Sequence, residues 1–373
     1  MLCRIEINAQ ALTNNYRILQ AKAGKSVVIP VLKANAYGHG LKESFAILKK
    51  ESSPWIAVNY VSEAEILRDL GFKGRLLIVG PAVERGFTKA DELELDLVVG
   101  NMDLLKSWAN RPGKCRVHVK IETGMSRQGI LPEDVDEALA YFSEKKVIPT
   151  GVCTHFANVE DVTDQSYALH QMSGFETAIA KFHAAGFTKV LKHAASSASS
   201  LIMDSSLFDM ARVGVSLYGV WPSKLTKVSY LQLNAKVASL LPVLEWKTEI
   251  TTLKKVHVGQ YIGYGCTFRA NREMDIAVLP VGYNEGYPRI AGEGPAYVLI
   301  RGERCPIVGR ICMNMMMVDV THTSKNLHVG DEVVLIGKSV DETVSAGDLA
   351  NWSKTIHYEI FTKLHPDIPR VIV

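Results

Sequence analysis

The sequence predicts an α/β fold: a (β/α)8 barrel over residues 8–228, then a β-rich domain over 229–373 that also takes in a strand at 1–7. Buried-strand runs alternate with helical periodicity through the first two thirds of the 373 residues. Eight such runs can be counted, the number that closes a parallel barrel. From about Ser229 helical periodicity largely stops. Short apolar runs separated by Gly, Asn, Asp and Pro take over, which is all-β punctuation.

Cys3–Ile7 reads as a strand able to pair with the second domain. Val27–Leu32 is β-branched and unbroken except for Pro30, so it reads as a strand buried on both faces. The other barrel strands are expected at Trp55–Val58, Leu76–Val79, Leu97–Val99, Val117–Ile121, Gly151–Thr154, Val190–Lys192 and Met210–Val215. Between them lie helical patterns. Ser62–Leu70 carries Ser62 and Glu65 at capping-box spacing and stops at Gly71. Leu131–Ser143 has Pro132 near its start, and Asp164–Ala185 is closed by Gly186. Right-handed crossovers follow from parallel pairing. The β-rich domain shows runs at Ile276–Val281, Tyr297–Ile300, Met316–Val320 and Glu332–Ile336.

Composition narrows the class. An apolar share of 47% and a charged share of 22% are ordinary for a globular protein, and a formal charge of +3 gives no case for nucleic acid. No apolar run is long enough for a membrane span. The start, MLCRIEINAQ, lacks the layout of a signal peptide. Six scattered cysteines without a C-x-x-C pair argue against a zinc site and a disulfide framework, and for a reducing cytoplasm.

The most informative stretch is VVIPVLKANAYGHG, Val27 to Gly40. A lysine at the end of a buried strand, Lys33, is costly to keep charged, because desolvation favours the neutral amine. A neutral amine can form a Schiff base with an aldehyde. Tyr37 adds a hydroxyl, and Gly38 and Gly40 allow close backbone approach. Taken alone, such a lysine is more often one that snorkels. In these barrels, though, chemistry sits at the C-terminal strand ends. Lys33, Lys120, the loop Glu122–Arg127, His155, Ser196, Ser197, Arg212 and Gly214 all fall there.

VLKANAYGHG resembles the cofactor-attachment segment of the alanine racemases, enzymes that use pyridoxal 5'-phosphate. The resemblance implies that Lys33 holds the cofactor as a Schiff base and that Tyr37 binds its phosphate. VHVKIETGMSRQG resembles the family's substrate segment. There Arg127 contacts the substrate carboxylate and Lys120 is a candidate for carbamylation, with Ser126 where the family usually has glycine. THFAN implies that His155 stacks on the pyridine ring. HAASSA and MARVGVSLYG imply Ser197, Gly214 and Val215 as phosphate contacts, and Arg212 against the pyridine nitrogen. An arginine does not readily give up a proton, so that nitrogen stays unprotonated and the ring is a weaker electron sink. Ser196 replaces a more common asparagine.

GQYIGYGCTF resembles the segment supplying the opposing base, here Tyr264, reaching a neighbouring subunit's barrel. A free phenol ionises near pH 10, so its use as a base needs help from neighbours such as His155 and Arg212. VGYNEGYPR and GRICMNMMMVDV match segments at the site's mouth and the dimer contact. Met313 is the implied backbone contact to substrate. Asn284, Glu285 and Asn314 depart from the usual residues. Asn314 stands in place of aspartate, so Arg127 is expected to lose a nearby negative charge. TIHYE resembles TINYE, implying Tyr358 as a further phosphate contact, with His357 for asparagine.

The resemblance implies an isomerase that interconverts L- and D-alanine with two bases, Lys33 for the D- and Tyr264 for the L-enantiomer. It also implies no metal, a homodimer with shared sites, and D-alanine for peptidoglycan. A broad-specificity racemase would share most of these segments. A decarboxylase of similar architecture would lack the paired G-Y-G and T-G-M-x-R segments. A non-catalytic single-domain barrel would lack Tyr264 altogether.

Overall fold

The computed structural model describes residues 1–233, 239–323 and 326–373. The chain divides into two compact units. One comprises Gln10–Ala36 and Ser44–Leu241, the other Met1–Ala9, Tyr37–Glu43 and Pro242–Val373.

The first unit is a curled parallel sheet surrounded by helices. Its strands are β1 (Val27–Pro30), β2 (Trp55–Val58), β3 (Arg75–Ile78), β4 (Asp96–Val99), β5 (Arg116–Lys120), β6 (Gly151–Cys153), β7 (Leu191–His193) and β8 (Met210–Val213). β2 to β7 pair in sequence order and β1 pairs with β8, all in parallel. Two joints close the ring. Leu32 N–H donates to the Ala57 carbonyl at 2.8 Å, and Arg212 N–H to that of Ala195 at 3.1 Å. Strands covered on both faces read as apolar runs, and β2 is buried throughout. The informative exceptions are polar groups buried in the interior: Asp96, His118, Lys120 and His193.

Element edges differ from the sequence reading for local reasons. β1 leaves the ladder at Pro30, because the backbone turns left-handed after Lys33 and only Val31 keeps a bridge to Ala57. The helix after β2 is Val61–Asp69. Its start is not held by Ser62 and Glu65. Glu63 reaches back to the Asn59 and Tyr60 N–H groups at 2.7 and 3.1 Å, while Glu65 pairs with Lys89. Pro132–Asp134 is a 3-10 turn that leads into helix Val135–Lys145, and the long helix is Ser166–Ala184. Helix Lys224–Leu233 runs across Ser229.

The second unit is β-rich. One sheet runs in the order Glu303–Pro306, Tyr297–Ile300, Glu332–Ser339, Leu244–Glu249, Cys3–Ile7, Arg370–Ile372. Cys3–Ile7 pairs antiparallel with Leu244–Glu249 and parallel with Arg370–Ile372. A second sheet joins Thr252–Val256, Met274–Leu279 and Met316–Asp319. Trp246 and Tyr287 are fully buried in this unit, their ring centroids 5.8 Å apart. The short segment Tyr37–Glu43 is fastened here. Arg370 donates twice to the Gly38 carbonyl, and a Cβ on Gly38 would stand 2.0 Å from the Phe361 carbonyl oxygen. This contact explains a glycine at position 38.

Candidate active site

Lys33 follows β1, and the next four residues are left-handed: Ala34, Asn35, Ala36 and Tyr37 have φ of 54°, 53°, 54° and 53°. None is glycine, and each such residue costs about 1–2 kcal/mol. One tertiary and one local bond hold the turn. Glu63 Oε1 accepts from Ala34 N–H at 2.7 Å, and Ala36 N–H reaches the Leu32 carbonyl at 2.8 Å. The same carboxylate that starts the helix after β2 therefore shapes the turn after the lysine. Burial lowers the pKa of the Lys33 amine. The Arg127 and Arg212 charges lower it further, and Glu63 opposes them. The amine is thus biased toward its neutral, nucleophilic form.

Lys120 ends β5 and is 5% exposed. It makes no ion pair among the described residues. Burial, with Arg127 and Arg212 nearby, pulls its pKa down to about 8. Beyond it, Glu122 Oε1 accepts from the Gly124 and Met125 N–H groups, both at 2.6 Å. Further N–H groups of this loop keep the carboxyl below its ordinary range although burial pushes it up. This fold of the loop sets the backbone at Arg127. Ser126 has φ 54°, the region glycine enters freely, so the serine is held against its preference.

Arg212 in β8 is held on several sides. Nη1 donates to His193 Nδ1 and to the His193 carbonyl, and Nη2 to the carbonyls of Thr154 and Ala194 at 2.7 and 3.2 Å. Nη2 also lies 3.5 Å from His155 Nδ1. Burial drives His155 well below its usual pKa, and the cations Arg212, Lys120, Arg127 and Lys33 add to this. A neutral ring results.

Past β7, Ser197 Oγ accepts from the Gly214 and Ser216 N–H groups at 3.0 and 3.4 Å. That leaves the hydroxyl proton of Ser197 to donate. Ser216 Oγ is buried and has no partner among the described residues. Spare donors beside a tight turn, Val215–Tyr218, suit an anion such as a phosphate. An amine whose pKa is lowered by burial, a caged guanidinium and an anion-ready turn on one barrel unit fit pyridoxal 5'-phosphate.

The other expected residues belong to the β-rich unit. Tyr37 and Tyr358 have ring centroids 6.2 Å apart, and burial pushes the Tyr37 phenol up to about 12. His357 stacks on Tyr358 at 4.5 Å, and burial lowers its pKa. Tyr264 opens a short 3-10 turn between Gly263 and Gly265, at φ 78° and 74°, and is 70% exposed. Met313 is 56% exposed, and its carbonyl accepts the Asn284 N–H at 2.9 Å. Asn314 is not simply a missing charge. Its amide donates to Glu285 Oε1 at 2.7 Å, and Glu285 is 5% exposed. Glu285 also accepts from Gly282 N–H at 2.8 Å and from the Asn284 amide at 3.1 Å. A carboxyl group stands beside residue 314, and it belongs to Glu285.

Residues 7–222 match the model of the alanine racemase N-terminal domain, and residues 243–372 that of the C-terminal domain. The chain belongs to the alanine racemase family. Its activity is that of an alanine racemase, an isomerase. An alanine racemase of Leptospira interrogans is 36% identical, with 99% of this chain and 95% of that relative covered. One from Methanococcus maripaludis is 35% identical, covering 98% and 97%. The crystal structure of alanine racemase from E. faecalis superposes with a TM-score of 0.89 at 29% identity, covering 100% of this chain and 98% of that one.

The sequence reading gave no role to Glu63, Glu122 or His193 in this candidate site. Glu122 sits inside the quoted loop motif and could have been found there. His193 likewise opens the quoted HAASSA motif, whereas Glu63 acts on Ala34, distant in the chain, and gave no local signal.

Proposed function

We propose that the enzyme works with pyridoxal 5'-phosphate bound through Lys33, and that Lys33 and Tyr264 are its two bases. The observation that supports this most is the Lys33 amine, biased to neutrality by burial and by Arg127 and Arg212. When bound, the cofactor would supply an aldehyde for that amine and a ring that stabilises negative charge at the substrate Cα. Ser197, Gly214, Val215, Tyr37 and Tyr358 would hold its phosphate. Arg212 would face the pyridine nitrogen and His155 the ring face. Arg127 would bind the substrate carboxylate, with the Met313 backbone alongside.

Lys33 would take or return the α-proton of D-alanine, and Tyr264 that of L-alanine on the opposite face. The exposure of Tyr264 supports its serving a second copy of the chain, so that the working form is a homodimer with shared sites. Carbamylation of Lys120 is supported by its lowered pKa, since only the neutral amine adds carbon dioxide. We place the enzyme in the cytoplasm, making D-alanine for peptidoglycan.

Borohydride reduction of the purified protein should fix the cofactor on Lys33 in a peptide map. An adduct on another lysine refutes the assignment. Lys33→Ala should abolish racemisation. Tyr264→Phe should suppress deuterium wash-in from L-alanine far more than from D-alanine, and equal loss would remove Tyr264 as the L-specific base. Mixing the two inactive variants should restore partial activity. None returning after verified subunit exchange refutes the shared site.

A further inference from the structure

Asp96 in β4, His118 in β5 and His193 in β7 have fully buried side chains inside the barrel unit, and the scheme above uses none of them. They form an unbroken chain to Arg212. Arg212 Nη1 meets His193 Nδ1, His193 Nε2 lies 2.8 Å from His118 Nδ1, and His118 Nε2 lies 3.2 Å from Asp96 Oδ1. The two ends dictate its direction. A guanidinium only donates and a carboxylate only accepts. His193 Nδ1 must therefore accept from Arg212, which puts the proton of a neutral ring on Nε2. That N–H donates to His118 Nδ1, so His118 also carries its proton on Nε2 and gives it to Asp96. Burial first, then Arg212, keeps His193 neutral. Burial also lowers the pKa of His118, against the pull of Asp96.

The far end is anchored as firmly. Arg75 Nε and Arg116 Nε reach Asp96 Oδ2 at 2.8 and 3.1 Å. Bonds from His118 and Arg75 pull the carboxyl pKa down to about 2, although burial pushes it up. Arg75 also lies over the Trp55 ring, which stands perpendicular to the His118 ring with centroids 5.8 Å apart.

We propose that Asp96, His118 and His193 are a positioning relay for Arg212. The carboxylate fixes both imidazole tautomers, and the acceptor this leaves at His193 Nδ1 holds the guanidinium in place. A chain running the other way would set an N–H of His193 against an N–H of Arg212. Only the catalytic consequence rests on the reading that Arg212 faces the cofactor's pyridine nitrogen. The relay itself does not.

Histidine-selective 15N labelling of the holoenzyme tests it. In the wild type both imidazoles should be neutral, protonated on Nε2, and unchanged from about pH 6 to about pH 9. Either ring found protonated on Nδ1, or charged, overturns the relay without need of a variant. In Asp96→Asn the amide can turn an N–H toward His118, as an amide does when it replaces a tautomer-fixing carboxylate. His193 should then switch to Nδ1–H or become protonated. kcat should fall by about tenfold or more, KM for alanine should stay within about twofold, and the absorption of bound pyridoxal phosphate should shift. A folded Asp96→Asn protein with His193 unchanged overturns the proposal. Tautomers that switch while kcat and the absorption stay put leave the relay standing and refute the placement of Arg212 at the pyridine nitrogen.

Discussion

Asn314→Asp probes the polar cluster of the β-rich unit. In the native chain the Asn314 amide donates to a nearly buried carboxylate, Glu285, at 2.7 Å. The substitution removes a hydrogen bond to a charged group, worth about 1.5–3 kcal/mol. It also sets two carboxylates at a separation where like charges repel by about 6 kcal/mol at an effective dielectric constant of about 20. The pair escapes most of that repulsion by sharing one proton. The new carboxyl is then protonated more readily in the folded state than in the unfolded chain, where an aspartate titrates near pH 4. Because the folded state binds that proton more tightly, the variant recovers stability as pH falls toward 4, and loses it as pH rises through the raised value. Thermal unfolding of both proteins at about pH 5 and about pH 8 measures this. The variant should lie about 5 kcal/mol below the wild type at the higher pH, because holding a proton on a carboxyl of ordinary pKa near 4 costs about 1.4 kcal/mol per pH unit, and about 1–2 kcal/mol below it at the lower pH. A gap that is absent, or larger at low pH, would refute the pairing of residue 314 with Glu285.

Three other outcomes are expected. Ser126→Gly should stabilise the protein by about 0.5–1 kcal/mol in thermal unfolding, because a serine at φ 54° gives way to a residue at ease there. Gly38→Ala should destabilise by more than about 2 kcal/mol, since its Cβ would meet the Phe361 carbonyl oxygen at 2.0 Å with φ at 80°. Lys120, with its pKa near 8, should take up 13C label from bicarbonate more completely as pH rises from about 7 to about 9. The label should be lost on acidification and absent from Lys120→Met.

Much of the barrel was legible because its signals are local. β2 and the strand Tyr297–Ile300 fall where the sequence reading put them. Other strand edges moved by one to three residues, as at β3, β4 and the end of Glu332–Ser339, because where a ladder ends depends on the neighbouring strand. The capping box at Ser62 and Glu65 was misplaced for a related reason. Spacing alone does not reveal that Glu63 is the carboxylate nearer the free N–H groups, or that Lys89 engages Glu65.

The sequence by itself determined which residue types stand at the barrel's C-terminal ends. An apolar run followed by Lys33, the T-G-M-x-R loop around Arg127 and the turn at Ser197 are contiguous patterns, and short-range chemistry suffices to read them. Only the tertiary structure decided how these groups are held. Nothing local favours a left-handed backbone at Ala34 and Ala36, and a carboxylate 29 residues past Ala34 helps to hold it there. The bond from Asn314 to Glu285 likewise spans 29 residues. The link between Asp96 and His118 spans 22, and that between His118 and His193 spans 75. Periodicity and propensity report on a residue's immediate neighbours. Buried polar groups must instead find partners wherever the packed chain brings them, because leaving one unpaired away from water costs about 1–3 kcal/mol.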